Sequence, residues 1–186
     1  MGEARVDLAY FDDYFVTVAD QLKKVDRSVL SDLASLITTV SAAGRKVILA
    51  GNGGSAAMAS HVAVDLTKAA GIRAINFNEA DLVTCFANDY GYEHWVARAL
   101  EAYADPGDLV VLISSSGASP NIIRAVEQAR TMGLGVACLS GFASDNPLRG
   151  SGDIDLWVDS RSYNVVEMTH HIWLLAVVDF LINCSG

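Results

Sequence analysis

The sequence predicts an α/β protein: a five-stranded parallel sheet preceded by a helical hairpin. Three observations predict it: five short apolar runs of strand length, a helical pattern after each of them, and crossovers long enough to hold a helix. The runs are Lys46 to Ala50, Ala74 to Phe77, Leu109 to Ser114, Gly135 to Leu139 and Ile154 to Val158. In the first, Val47-Ile48-Leu49-Ala50 is apolar without alternation, as a strand covered on both faces should be. Ahead of it, Leu8, Phe11, Phe15, Val18 and Leu22, then Val29, Leu33, Leu36, Ile37 and Val40, recur at helical spacing. They give two amphipathic helices joined around Asp26 to Ser28, the second ended by Gly44. Residues 1–44 are thus expected to form the hairpin and 45–186 the α/β core of one domain. No repeat, low-complexity segment or Pro- or Ser-rich linker divides the two.

A chain of 186 residues can bury a core without disulfide or metal staples, and 52% apolar against 19% charged residues excludes a disordered chain. Thirteen Lys and Arg against 22 Asp and Glu leave a net charge of −9, and no stretch gathers basic residues. Neither nucleic acid nor an anionic membrane is an expected partner. The odd, widely separated Cys85, Cys138 and Cys184 lie in apolar runs and read as reduced core thiols. The opening MGEARVDLAYFDDYF is acidic from its third residue and lacks the basic-then-apolar order of a signal peptide, so the cytoplasm is the expected compartment. The apolar run from Ile172 to Ile182 contains Asp179 and falls short of the roughly 20 residues of a membrane span. It reads as a buried helix, with another subunit as a candidate neighbour.

Two loops carry the chemistry. Gly51-Asn52-Gly53-Gly54-Ser55 sits between the first strand and the helical pattern Ala56 to Leu66. Glycines there let the backbone turn sharply and approach a ligand, and free amides at a helix start attract an anion. The segment matches neither GxGxxG nor a Walker loop, so no nucleotide cofactor is expected; taken alone, a tight strand-to-helix turn would read the same way. The second loop, Ser114-Ser115-Ser116-Gly117-Ala118-Ser119-Pro120-Asn121, repeats the device after the third strand, with Ser119 as N-cap and Pro120 at the first helical position. Two such loops at the carboxyl ends of parallel strands converge where open sheets bind ligands. Neither contains Lys or Arg, so a phosphate would be held by neutral donors and helix ends.

His61 and Asp65 lie at i, i+4 on the helix after the first loop, and Glu167, His170 and His171 share one face of the last helical pattern. Imidazoles and carboxylates so spaced suit a zinc-like ion and, equally, proton transfer near neutral pH; core histidines with a satisfied hydrogen bond show the same spacing. Asn88 and Asp89, before Tyr90-Gly91-Tyr92, read as a turn or as acceptors for sugar hydroxyls.

The segments GNGGSAAMASHVAVDL from Gly51, FANDYGY, ISSSGASPNII from Ile113 and YNVVEMTHH resemble the sugar isomerase (SIS) domain family, and within it the phosphoheptose isomerases that act on sedoheptulose 7-phosphate. The resemblance covers nearly the whole chain. It implies a three-layer α/β sandwich and a homotetramer with active sites between subunits. It further implies that Asn52, Gly53, Gly54, Ser55, Ser114, Ser115, Ser116 and Ser119 surround the sugar phosphate, with Asn88, Asp89 and Glu167 along the substrate chain. The family's His and Glu on the first core helix are matched by His61 and Asp65, the latter one methylene shorter, and its Gln or Glu on the last helix by Glu167. Its histidine two turns further on falls on Leu175, which can neither transfer a proton nor bind a metal.

Two functions follow. An aldose-ketose isomerase would use Asp65 as base and His170 or His171 as acid partner, with one zinc ion on His61, Asp65, Glu167 and one of that pair, His171 being the matching ligand. A noncatalytic SIS protein, a sugar-phosphate sensor or an assembly scaffold, would keep the loops and give up the acid-base set; Leu175 favours it, the retained ionisable groups favour the enzyme.

Overall fold

The computed structural model describes residues 8–184; residues 1–7, where the expected hairpin begins, and 185–186 lie outside the described residues. Helices α1 (Leu8–Lys23) and α2 (Arg27–Ala42) form the hairpin. Asp26 caps α2, its carboxylate accepting from the Ser28 amide at 2.9 Å. Strands β1 (Val47–Gly51), β2 (Ala74–Asn76), β3 (Leu109–Ser114), β4 (Gly135–Gly141) and β5 (Ile154–Val158) build one sheet in the order β2-β1-β3-β4-β5, every pairing parallel. The expected strands are therefore present, β1 shifted by one residue and β4 longer by two.

Between the strands run α3 (Gly54–Lys68), α4 (Ala80–Tyr90), α5 (Trp95–Tyr103) and α6 (Pro120–Thr131), and α7 (Tyr163–Cys184) closes the chain. The core divides in two across the sheet. One apolar cluster joins Leu33 and Ile37 of α2, Met58 and Val62 of α3 and Trp173 and Val177 of α7 to one sheet face. The other joins Val96 and Leu100 of α5 and Ile122 and Ala125 of α6 to the opposite face. Residues alternate along β1 and β3 between these clusters, Leu49 and Val111 to the first and Ile48 and Val110 to the second, which explains why neither strand shows an amphipathic pattern.

The start of β1 is pinned to the start of β3. Lys46 Nζ contacts Asp105 Oδ2 and Asp108 Oδ2, both at 2.6 Å, while the Lys46 amide donates to Asp108 Oδ1 at 3.0 Å. Burial alone would lower the Lys46 pKa, but its hydrogen bonds and charge pairing with the two aspartates more than offset it and raise the value.

α7 is long and apolar enough by composition to cross a membrane, yet half of that stretch is buried in this fold. Val165, Val166, Trp173, Leu174, Val177 and Val178 pack it into the core. The cysteines depart from expectation: Cys138 is buried, and burial pushes its thiol up to about 12, but Cys85 and Cys184 are exposed. Cys85 faces outward because α4 buries none of its residues fully.

Candidate active site

The carboxyl ends of β1 and β3 lie side by side, Gly51 in register with Ile113. After β1 the chain turns at Gly53, whose φ of +54° is one that side chains rarely adopt, and enters α3 with Ser55 buried in its first turn. After β3 the loop is closed by the Gly117 amide donating to the Ser114 carbonyl at 2.9 Å. Ser119 does occupy the N-cap of α6, with Pro120 following, but its hydroxyl meets the Ser114 hydroxyl at 2.9 Å and does not cap the helix. The Ser119 carbonyl accepts from the Ile122 and Ile123 amides at 3.0 and 3.1 Å, which leaves the Asn121 amide to other acceptors. Between the two loops lies a cavity of about 210 Å³ lined by Asn52, Ser55, Ile113, Ser114, Ser115, Ser116, Ser119, Tyr163 and Glu167. It presents hydroxyls, the Asn52 amide and the Glu167 carboxylate, and no Lys or Arg.

Asn52 and Asn121 hold the loops together. Asn52 Nδ2 donates to Asn121 Oδ1 and Asn121 Nδ2 donates back to Asn52 Oδ1, each at 2.9 Å, and the Tyr92 hydroxyl donates to Asn52 Oδ1 at 2.9 Å. A side-chain amide has two N–H donors and one oxygen with two lone pairs, so Asn52 retains a single free N–H for a ligand. Asn121 and Tyr92 were not among the residues expected in the site. The available signal for Asn121 is a polar residue among the buried positions Ile122, Ala125, Val126 and Ala129 of α6, where an amide requires a partner.

Gly53 and Gly54 border this arrangement differently from expectation. Gly53 lines a neighbouring cavity, with Tyr92 and Trp95, and a Cβ added at Gly54 would overlap the Glu167 carboxylate. Glu167 Oε1 also accepts from the Ser115 hydroxyl at 3.4 Å. Asn88 and Asp89 are not a turn: they occupy the last turn of α4, are exposed, bond to each other at 2.9 Å, and do not line the serine cavity.

Along α3, two turns beyond Gly54, the expected side chains meet. His61 Nε2 lies 3.2 Å from Asp65 Oδ2, and His61 Nδ1 lies 3.0 Å from His171 Nε2, with the two rings edge to face at 83°. A carboxylate only accepts, which assigns the hydrogen to His61 Nε2 and leaves Nδ1 to accept from His171 Nε2–H. His171 Nδ1 then carries the free lone pair. Burial, then the neighbouring His61, lower the His171 pKa, with Asp65 opposing them, so the ring is neutral near pH 7.

His170 is excluded from this set. It is fully buried, its Nε2 donates to the Ser140 carbonyl at 2.9 Å, and its Nδ1 has no hydrogen-bond partner. Burial lowers its pKa to about 4 despite that bond, which makes it a neutral core residue. Leu175 packs partly buried against the core.

The expected zinc ligands do not fit one ion. Both nitrogens of His61 are engaged by protein partners, Asp65 meets the nitrogen remote from His171, and Glu167 lies at the serine cavity. Among the described residues no group of three His, Cys, Asp or Glu comes together to hold a metal.

A parallel sheet whose winding reverses beside a small polar cavity, with a carboxylate-imidazole chain along the next helix, defines an α/β domain with a ligand-sized crevice at its switch point. The chain belongs to the SIS domain family, whose pattern matches residues 10–141. Phosphoheptose isomerase of Fusobacterium nucleatum is 32% identical over 170 residues, spanning 89% of this chain and 84% of that protein. The Sodalis glossinidius phosphoheptose isomerase is 37% identical over 159 residues, spanning 83% and 81%. The solved structure of phosphoheptose isomerase from Neisseria gonorrhoeae superimposes with a TM-score of 0.85 at 26% identity, covering 94% of this chain and 97% of that one.

Two predictions follow from the geometry. Asn121→Ala leaves the Asn52 amide half-satisfied and should lower stability by about 1–3 kcal/mol and inorganic phosphate affinity by about tenfold, read by denaturant titration and calorimetry. His170 titrates near 6.5 when unfolded and about 4 when folded, so its neutral burial is fully favourable above pH 6.5, and stability falls as pH drops from 6.5 towards 4 because the unfolded state binds the extra proton. Urea midpoints of wild type should fall over that window by more than those of His170→Gln; parallel curves would contradict the assignment.

Proposed function

We propose that this chain is an aldose-ketose isomerase of a phosphorylated seven-carbon sugar, sedoheptulose 7-phosphate, with the phosphate in the serine cavity and the first two carbons at the α3–α7 seam. The observation that carries it is that one helix, α3, starts at the anion cavity and two turns later presents His61 and Asp65. Seven residues of helix rise separate Gly54 from His61, about 10 Å, the reach of an extended seven-carbon sugar phosphate. The names of the relatives, phosphoheptose isomerases, support the same substrate.

The reaction removes a proton from the first carbon of the ketose to give an enediolate, moves the hydroxyl proton from the first oxygen to the second, and returns a proton to the second carbon. His171 Nδ1 takes the first proton, and its Nε2 hydrogen shifts towards His61 Nδ1, where Asp65 fixes the tautomer and stabilises the charge that forms. Asp65 thus acts through His61 and not as the base itself. Ser114, Ser116, Ser119 and the helix-start amides hold the phosphate. Leu175 favours the sensor or scaffold reading, but His171 occupies the same stripe of α7 one turn earlier, and its contact with His61 favours the enzyme.

The same reading makes the chain a cytoplasmic homo-oligomer. Leu8, Phe11, Phe15 and Val16 are exposed along α1, Ile172 and Phe180 along α7, and the two α7 residues line an apolar groove of about 430 Å³ with Leu22, Leu30 and Ala34.

Purified protein with sedoheptulose 7-phosphate in deuterated buffer containing chelator should convert ketose to aldose with solvent deuterium entering the sugar, followed by NMR. Asp65→Asn and His171→Ala should each cut turnover at least about a hundredfold. Substrate that binds but exchanges no deuterium, with or without added zinc, would transfer the assignment to the sensor or scaffold. Light scattering at micromolar concentration should give a mass above one chain; a monomer would contradict the oligomer.

A further inference from the structure

The serine cavity already holds an anion of the protein's own. Glu167 projects from the second turn of α7 into the gap between the two loops. Only the absence of a side chain at Gly54 leaves room for the carboxylate there, because a Cβ at that position would overlap it. The carboxylate therefore lies against the first turn of α3, where a helix attracts negative charge, and Ser115 donates to it at 3.4 Å. No salt bridge joins Glu167 to a cation among the described residues, and the cavity lining contains neither Lys nor Arg.

These observations set a conflict between two anions. A phosphate dianion entering a cavity of about 210 Å³ meets a carboxylate that no side-chain cation pairs, that takes the Ser115 hydroxyl and that stands against Gly54 at the start of α3. Within one partly buried cavity, like charges about 4–6 Å apart interact strongly enough to reduce binding by an order of magnitude or more.

We infer that Glu167 is a specificity-determining residue that competes internally with the ligand's phosphate and sets its affinity low. The inference rests on the phosphate reading of the serine cavity. The carboxylate is the acceptor for a sugar hydroxyl near the phosphate, so a singly phosphorylated polyol is admitted while a second phosphate at that end of the chain is rejected.

Calorimetry with inorganic phosphate tests this on wild type, Glu167→Gln, Glu167→Ala and the double variant Ser55→Ala, Glu167→Gln. Glutamine keeps the size and removes the charge, so Kd for phosphate should tighten at least about tenfold, alanine should tighten it likewise, and adding Ser55→Ala should reverse most of the gain. Melting curves confirm that each variant is folded. Wild-type binding that Glu167→Gln leaves unchanged or weaker overturns the inference alone. Tightening by alanine without tightening by glutamine also overturns it, since that result reports bulk and not charge. Folded proteins that bind no phosphate in any form overturn the phosphate site, and the inference falls with it.

Discussion

The parallel pairing of β1 with β3 is the constraint on which the rest depends. After β1 the chain crosses to β2 on one side, and after β3 it crosses to β4 on the other, so the sheet reverses its winding between these two strands. The helices that follow must then separate, α3 to the cluster with α2 and α7, and α6 to the cluster with α5. A crevice opens above the strand ends, floored by two helix starts. The register Val47 with Leu109 through Gly51 with Ile113 sets both loops at one height, and Lys46 with Asp108 fixes that register from the far end. The reciprocal Asn52–Asn121 amide pair then fixes the width.

Within that crevice an anion would be held without opposing charge. A net charge of −9 and a cavity free of cations would repel phosphate at long range, so recognition falls to short-range hydroxyls and amides whose geometry is fixed in advance. Fixed neutral donors discriminate by direction where a lysine would bind any anion. Under the inference drawn for Glu167, that selectivity comes at the expense of affinity.

Much of this was legible in the sequence because strands buried on both faces and glycine- or serine-rich helix entries leave compositional signals. The five strands and both loops follow from that. What the sequence did not resolve was direction. His170 and His171 are neighbours on a helix that is apolar almost all round, and about 100° of rotation places one against the Ser140 carbonyl and the other against His61. No period in α7 distinguishes them. Asn88 and Asp89 look like a turn because Gly91 follows closely, but Gly91, with a φ of +89°, ends the helix that contains them. Asn121 was hidden because its partner, Asn52, is remote in sequence and adjacent only once β1 and β3 pair.

The displacement of the histidine on α7 is understandable in helical terms. Glu167, His171 and Leu175 stand at i, i+4 and i+8 on one stripe, so a histidine at either of the latter positions faces α3, differing by one turn, about 5.4 Å, along the axis. At 171 it lies nearer the serine cavity and reaches His61 directly. Leu175 is then released to pack against the apolar cluster. Asp65, a methylene shorter than glutamate, lies 3.2 Å from His61 on its own helix, a distance at which a carboxylate orients an imidazole and need not extend to the substrate. Under the proposed reading the shorter acid supports an imidazole pair that stands one turn nearer the serine cavity than Leu175, where a proton can be passed.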